Sequence, residues 1–133
     1  MSRWDNSFDS WVGKKIEKAL IDSEHYTMYW KVDGKWFKLD AVGDCCSHSW
    51  FEHCDGGDAL QDAELTSFED VSQSPDEGEE AEYECLRINM LKFRTSKGYC
   101  TIEFRNSSNG YYSGWTEITE SEDPGEMSVL GDF

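Results

Sequence analysis

Three cysteines and two histidines crowd into one short stretch, as Cys45, Cys46, His48, His53 and Cys54. Thiolate and imidazole are the usual ligands of zinc, so metal binding is the first chemistry to weigh. A structural zinc site needs four donors that converge tetrahedrally, commonly a closely spaced cysteine pair followed further on by a second pair. Here Cys45 and Cys46 are adjacent, while Cys85 and Cys100 each stand alone. The spacing favours a thiol packed beside Trp50 with the histidines facing solvent, and no metal or other cofactor is expected. A thiol nucleophile with His48 or His53 as base is the second chemistry. It requires a thiolate in an electropositive setting. The neighbours in sequence are Asp40, Asp44, Glu52, Asp55 and Asp58, which would raise a thiol pKa and oppose ionisation. Paired carboxylates for glycoside chemistry carry no specificity in a chain with 28 acidic residues. No enzymatic activity is expected.

Asp55-Gly56-Gly57-Asp58, with Asp62 and Glu64 beyond, offers hard oxygens on a flexible loop, as calcium prefers. The Asp-x-Asp-x-Asp-Gly order of an EF-hand is absent, so a dedicated cation site is not expected there. The rival to a purely interacting protein is a metal- or small-ligand-binding domain centred on the turn Gly43 to Trp50.

Charge is the next discriminator. The 133 residues carry 12 basic and 28 acidic side chains, a net charge of −16. Residues 55–84 hold twelve of the acidic side chains and no lysine or arginine. The flanking segments are nearly balanced. Direct binding of nucleic acid is disfavoured, because it requires lysine and arginine to neutralise phosphates. An anionic membrane surface is disfavoured on the same ground, and no apolar run approaches the length of a membrane span. The start, Met-Ser-Arg-Trp-Asp, has no apolar core of the kind a secretory leader carries. With an odd number of cysteines and a vicinal pair, reduced thiols in a host cytoplasm are expected.

These residues must be positioned by strands. Tyr26, Met28, Trp30 and Val32 alternate with polar neighbours, Asp33-Gly34 supplies a tight turn, and Phe37, Leu39 and Ala41 alternate on the return. Lys14 to Asp22 alternates only in part. Leu86, Ile88 and Met90 alternate in a later strand, Ser96-Lys97-Gly98 turns the chain, and Cys100, Ile102 and Phe104 alternate after it. Ser107-Ser108-Asn109-Gly110 marks another turn, before a last strand from Tyr111 to Thr119. The fold class is therefore mainly β, an antiparallel sheet or small sandwich with one or two short helices; α+β is the alternative. One helix is predicted from Trp4, Phe8 and Trp11, which would cover the open side of the sheet. Ser49-Trp50-Phe51-Glu52 has the form of a capping box, which predicts a helical turn. The chain is sized for a single domain over 1–119, with an acidic insertion at about 55–84 and a flexible acidic tail over 120–133.

Within the acidic segment, Ala59, Leu60, Leu65, Phe68 and Val71 interleave with carboxylates. That pattern predicts ordered chain with one face inward and Asp62, Glu64, Glu69 and Asp70 outward. Residues 73–82 read as solvated loop. The partner-binding set read from the sequence is Asp62, Glu64, Glu69, Asp70, Asp76, Glu77, Glu79, Glu80, Glu82 and Glu84. These residues would steer and pair with a basic protein. Duplex DNA presents one negative charge per about 1.7 Å of axis, and ordered carboxylates are expected to approximate such a row.

Two longer blocks carry a resemblance. Val42-Gly-Asp-Cys-Cys-Ser-His-Ser-Trp-Phe-Glu52 and Phe104-Arg-Asn-Ser-Ser-Asn-Gly-Tyr-Tyr-Ser-Gly114, with Val12-Gly-Lys-Lys-Ile16, resemble the motifs of a small domain of unknown function found mainly in bacteriophage proteins. The resemblance spans roughly residues 12–115. It implies a phage or prophage origin and a compact β-rich domain, and it brings no catalytic residues. By analogy with small acidic phage proteins, it implies an anti-defence inhibitor of a host nuclease or CRISPR-type effector. A virion or assembly component is the third reading.

Overall fold

A computed structural model of the chain describes residues 7–44, 47–75, 85–108 and 114–133. Among these residues nine strands form one antiparallel sheet: β1 (Lys15–Ile21), β2 (Thr27–Val32), β3 (Lys35–Gly43), β4 (His48–Asp55), β5 (Ala63–Gln73), β6 (Cys85–Thr95), β7 (Gly98–Ser108), β8 (Gly114–Ser121) and the short β9 (Ser128–Val129). The order across the sheet is β4-β7-β6-β5-β1-β2-β3-β8, with β9 on β1. The predicted antiparallel β architecture is the observed one.

The β2–β3 hairpin turns on Asp33 and Gly34, both with positive φ (48° and 80°), as a tight two-residue hairpin requires. Met28, Trp30 and Val32 face inward from β2. A bulge in β1 between Ile16 and Lys18 explains the imperfect alternation of that segment. It puts Ile16, Ala19 and Ile21 opposite Val32, Trp30 and Met28, and turns Leu20 to the other face, alongside Tyr29. β6 changes phase differently. Its register with β7 is unbroken, yet Leu86 and Ile88 are buried in its first half and Leu91, Phe93 and Thr95 in its second. The strand therefore buries one face and then the other.

The sheet curls around a core in which Trp11, Trp30, Phe51 and Phe93 are the largest fully buried side chains. Its two edge strands meet at one end. Ser49 of β4 donates its hydroxyl to the Val42 carbonyl of β3 (2.9 Å), and the Phe51 amide donates to the His25 carbonyl before β2 (2.9 Å). Elsewhere β8 and the β5–β7 face stay apart, leaving a seam.

Both helix predictions are corrected. Among the described residues, the chain around Phe8 and Trp11 forms a 3-10 turn, Asp9–Trp11, in place of an α-helix; Trp4 lies outside them. The aromatic pair is inward as expected, with Phe8 against Trp11, Trp30, Phe68 and Phe93. Ser49 to Glu52 belongs to β4, not to a helical turn. Pairing with β7 and burial of Ser49, Phe51 and Cys54 outweigh the local capping pattern, and the Glu52 carboxylate accepts the Trp50 indole N–H (2.9 Å) instead of capping a helix. A second 3-10 turn, Gly57–Leu60, buries Ala59 and Leu60. The end of the chain, read from composition as loose, is seated: the Leu130 amide donates to the Ala19 carbonyl (2.8 Å) and its side chain is fully buried. Phe133 exchanges backbone hydrogen bonds with Cys54 and stacks on His25.

Candidate functional site

The acidic segment supplies β5, the strand that joins the two halves of the sheet. Its start pairs with β1 at Lys15 and Ile16, and Leu65 is held between the Lys14 carbonyl and the Gly13 amide. From Leu65 to Gln73 the strand runs alongside β6. A bulge between Leu65 and Ser67 resets which side chains point inward. Ala63 and Leu65 are buried and Phe68 and Val71 half-buried, while Asp62, Glu64, Glu69 and Asp70 are exposed, as the interleaved pattern predicts. Asp76, Glu77, Glu79, Glu80, Glu82 and Glu84 lie outside the described residues.

The four described carboxylates are not brought together as one row. Asp62 pairs with Lys15 (2.8 Å). That hydrogen bond and the lysine's charge hold the Asp62 carboxyl below the usual carboxylate range, and Asp62 in turn raises Lys15. Glu64 stands across from Lys15 in the β1–β5 register, and Glu69 across from Lys92 in the β5–β6 register. Asp70 differs. It shares the face of Phe68, which is the core side of the strand, and opposes buried Leu91. It is exposed only because the sheet is open there. Its Oδ1 accepts a hydrogen bond from the Asn89 side-chain amide (2.9 Å).

Asp70 lines a cavity of about 270 Å³ in the seam between β8 and the β5–β7 face. The walls are Phe8, Phe68, Leu91, Phe104, Trp115 and Ile118; the polar groups are Ser7, Asp9, Asp70, Asn89 and Thr116. Among the described residues, no lysine or arginine lines it. Apolar walls with a few convergent polar groups are the usual make-up of a binding pocket. Sequence reading missed Asp9, Asn89 and Trp115. The available signal was Asn89, a polar residue on the inward face of β6 opposite Phe104, at the point where the alternation of that strand breaks.

The two motif blocks also meet in space. His48, Ser49, Trp50 and Phe51 pair with Ser107, Asn106, Arg105 and Phe104 across β4 and β7. Gly43 pairs with Gly114 across β3 and β8. The buried Asn106 amide donates to the Ser49 hydroxyl (2.9 Å), and its Oδ1 has no hydrogen-bond partner. Gly114 sits so close to Ser49, Asn106 and the Val42 carbonyl that any Cβ would collide with them. The corner thus holds the two sheet edges together at one end of the seam. Near it Tyr26, His48 and Trp50 form a surface run of rings, His48 stacked on Trp50 at 5.1 Å.

Cys45 and Cys46 lie outside the described residues. His48 and His53 are exposed. Cys54 and Cys100 are buried on the core side with sulfurs 3.9 Å apart. The hydrogen bond with Cys54, together with burial, pushes the Cys100 thiol far above its usual range, which suits packing and opposes nucleophilic chemistry. Among the described residues, no three His, Cys, Asp or Glu side chains converge to hold a metal ion. Among the same residues, no helix is long and apolar enough to cross a membrane.

Comparison with known proteins adds a lineage without an activity. No solved structure matches the chain. An uncharacterized protein of Acanthamoeba polyphaga mimivirus is 30% identical over 118 residues, covering 81% of this chain and 89% of its own length. Such sequences are therefore not confined to bacteriophages. The model of the Domain of unknown function (DUF7448) matches residues 9–118, from the 3-10 turn through Ile118 of β8, and the chain belongs to that family.

Proposed function

We propose that this protein is a viral accessory protein that binds a basic host protein and carries out no chemistry of its own. The observation that carries this reading is the charge of residues 55–84, twelve carboxylates with no lysine or arginine, on chain whose described part is an ordered strand with exposed carboxylates. A basic partner such as a nuclease or CRISPR-type effector fits that charge. Discrete pairing fits better than a copy of phosphate spacing. A strand advances about 3.4 Å per residue, so one face of β5 repeats only every ~7 Å. Duplex DNA carries a charge per about 1.7 Å.

The test is capture of a host partner on immobilised protein at low and high ionic strength. Capture should fall steeply between about 0.05 M and 0.5 M salt, where the screening length shrinks several-fold. It should also fail with a variant in which the carboxylates between Asp62 and Glu84 are neutralised. Equal capture at both salt concentrations, or by that variant, contradicts the reading.

A further inference from the structure

We infer that the seam cavity is the anchoring pocket for one basic side chain, lysine or arginine, presented by the protein partner. This rests on the reading above and assigns the point of contact.

Size limits the occupant. At about 270 Å³ the cavity lies just below the range of about 300–1,000 Å³ typical of small-molecule clefts. It suits a single long side chain. The walls then fix the chemistry. Phe8, Phe68, Phe104 and Trp115 are aromatic, and ring faces attract cations while accepting the methylene stem that precedes them. The charge at the mouth selects the sign. Asp9 and Asp70 are exposed, and no lysine or arginine of the described lining answers them. Asn89 fixes Asp70 through Oδ1 alone, leaving Oδ2 free to receive a charge-assisted bond. By contrast, Asp62 already has Lys15, and Glu69 stands across from Lys92. Glu69 lines a pocket that Lys92 and Arg94 share, whereas the described lining around Asp70 holds no basic side chain.

The probes are the blocked tripeptides acetyl-Gly-Arg-Gly-amide and acetyl-Gly-Lys-Gly-amide, with the citrulline and norleucine peptides as neutral matches. They would be titrated into the full chain while backbone amides and the Trp115 indole N–H are followed by nuclear magnetic resonance. Saturable shifts at Asp70, Asn89 and Trp115 are expected for the basic peptides, with the neutral ones at least tenfold weaker. Asp70→Asn keeps the shape and the Asn89 bond, and should weaken the basic peptides about tenfold. Trp115→Ala should weaken them about threefold. Equal affinity for the neutral peptides makes the pocket a plain apolar cleft and overturns the inference. So does a wild-type affinity in Asp70→Asn, or the same shifts appearing with protein concentration alone, which would assign the pocket to a second copy of the chain. Salt-sensitive host capture that persists when the tripeptides fail to bind would leave the basic-partner reading standing and remove only the anchor.

Discussion

β5 behaves as two different structures at its two ends. At Ala63–Leu65 it is clamped between β1 and β6, its apolar side chains are fully buried, and the carboxylates beside it lie close to Lys15. From Phe68 onward it runs with β6, its apolar side chains are half-buried, and Asp70 meets an amide at the mouth of a pocket. The difference separates two uses of the same residue type. Near β1 the carboxylates belong to the chain's own charge balance. Near the seam a carboxylate is held in place and, among the described residues, left without a cation, which is the arrangement expected of a contact kept for another molecule.

The largest expected effect tests the mechanical side of that contrast. Leu65→Ala should cost about 2–5 kcal/mol, since it empties fully buried volume, whereas Val71→Ala should cost less than about 1 kcal/mol. Urea unfolding of both variants measures this directly, and equal losses would erase the distinction between the ends. Next in size is the corner that holds the seam. Gly114→Ala forces a Cβ against Ser49, Asn106 and the Val42 carbonyl, and should destabilise by about 1–3 kcal/mol. If it leaves stability unchanged, β8 is not fixed there and the pocket has no rigid wall. The smallest effect belongs to the Lys15–Asp62 pair, which is exposed at both partners and screened by solvent. Because the Asp62 pKa is lowered, its contribution is present above the ordinary carboxylate value of 3.8 and lost as pH falls below it. Because the Lys15 pKa is raised, the contribution persists up to the ordinary 10.5 and is lost as pH rises past it. Asp62→Asn should therefore flatten a slight acid-side fall in stability in thermal scans at low salt; Asp70→Asn should leave it in place.

Much of the fold was legible where local pattern and tertiary pairing agree. The β2–β3 hairpin announced itself through strict alternation and Asp33-Gly34, and the ordered, half-inward character of Ala59 to Val71 followed from interleaved apolar residues. Misreadings arose where a local signal met a stronger nonlocal one. Ser49-x-x-Glu52 favours a helix only if β7 is not there to pair with it. Leu130 looked like part of a polar tail because its burial depends on β1 and Gln61, far away in sequence. The pocket was illegible for the same reason. Its walls come from the N-terminal turn, β5, β6, β7 and β8, and no short spacing encodes their meeting. Asp70 was singled out from the sequence as one acid among ten. Only the register with β6 puts it on the inward face.

The most direct test sets the two ends of β5 against each other in one experiment. Host-partner affinity at low salt would be measured for wild type, for Asp62→Asn with Glu64→Gln, and for Asp9→Asn with Asp70→Asn, with folding checked by circular dichroism. Each pair removes two negative charges, so net charge is matched. The seam-end pair should lose about tenfold or more in affinity, and the β1-end pair less than about threefold. Equal losses would mean that the partner responds to total charge alone, and would contradict the seam pocket as its point of contact.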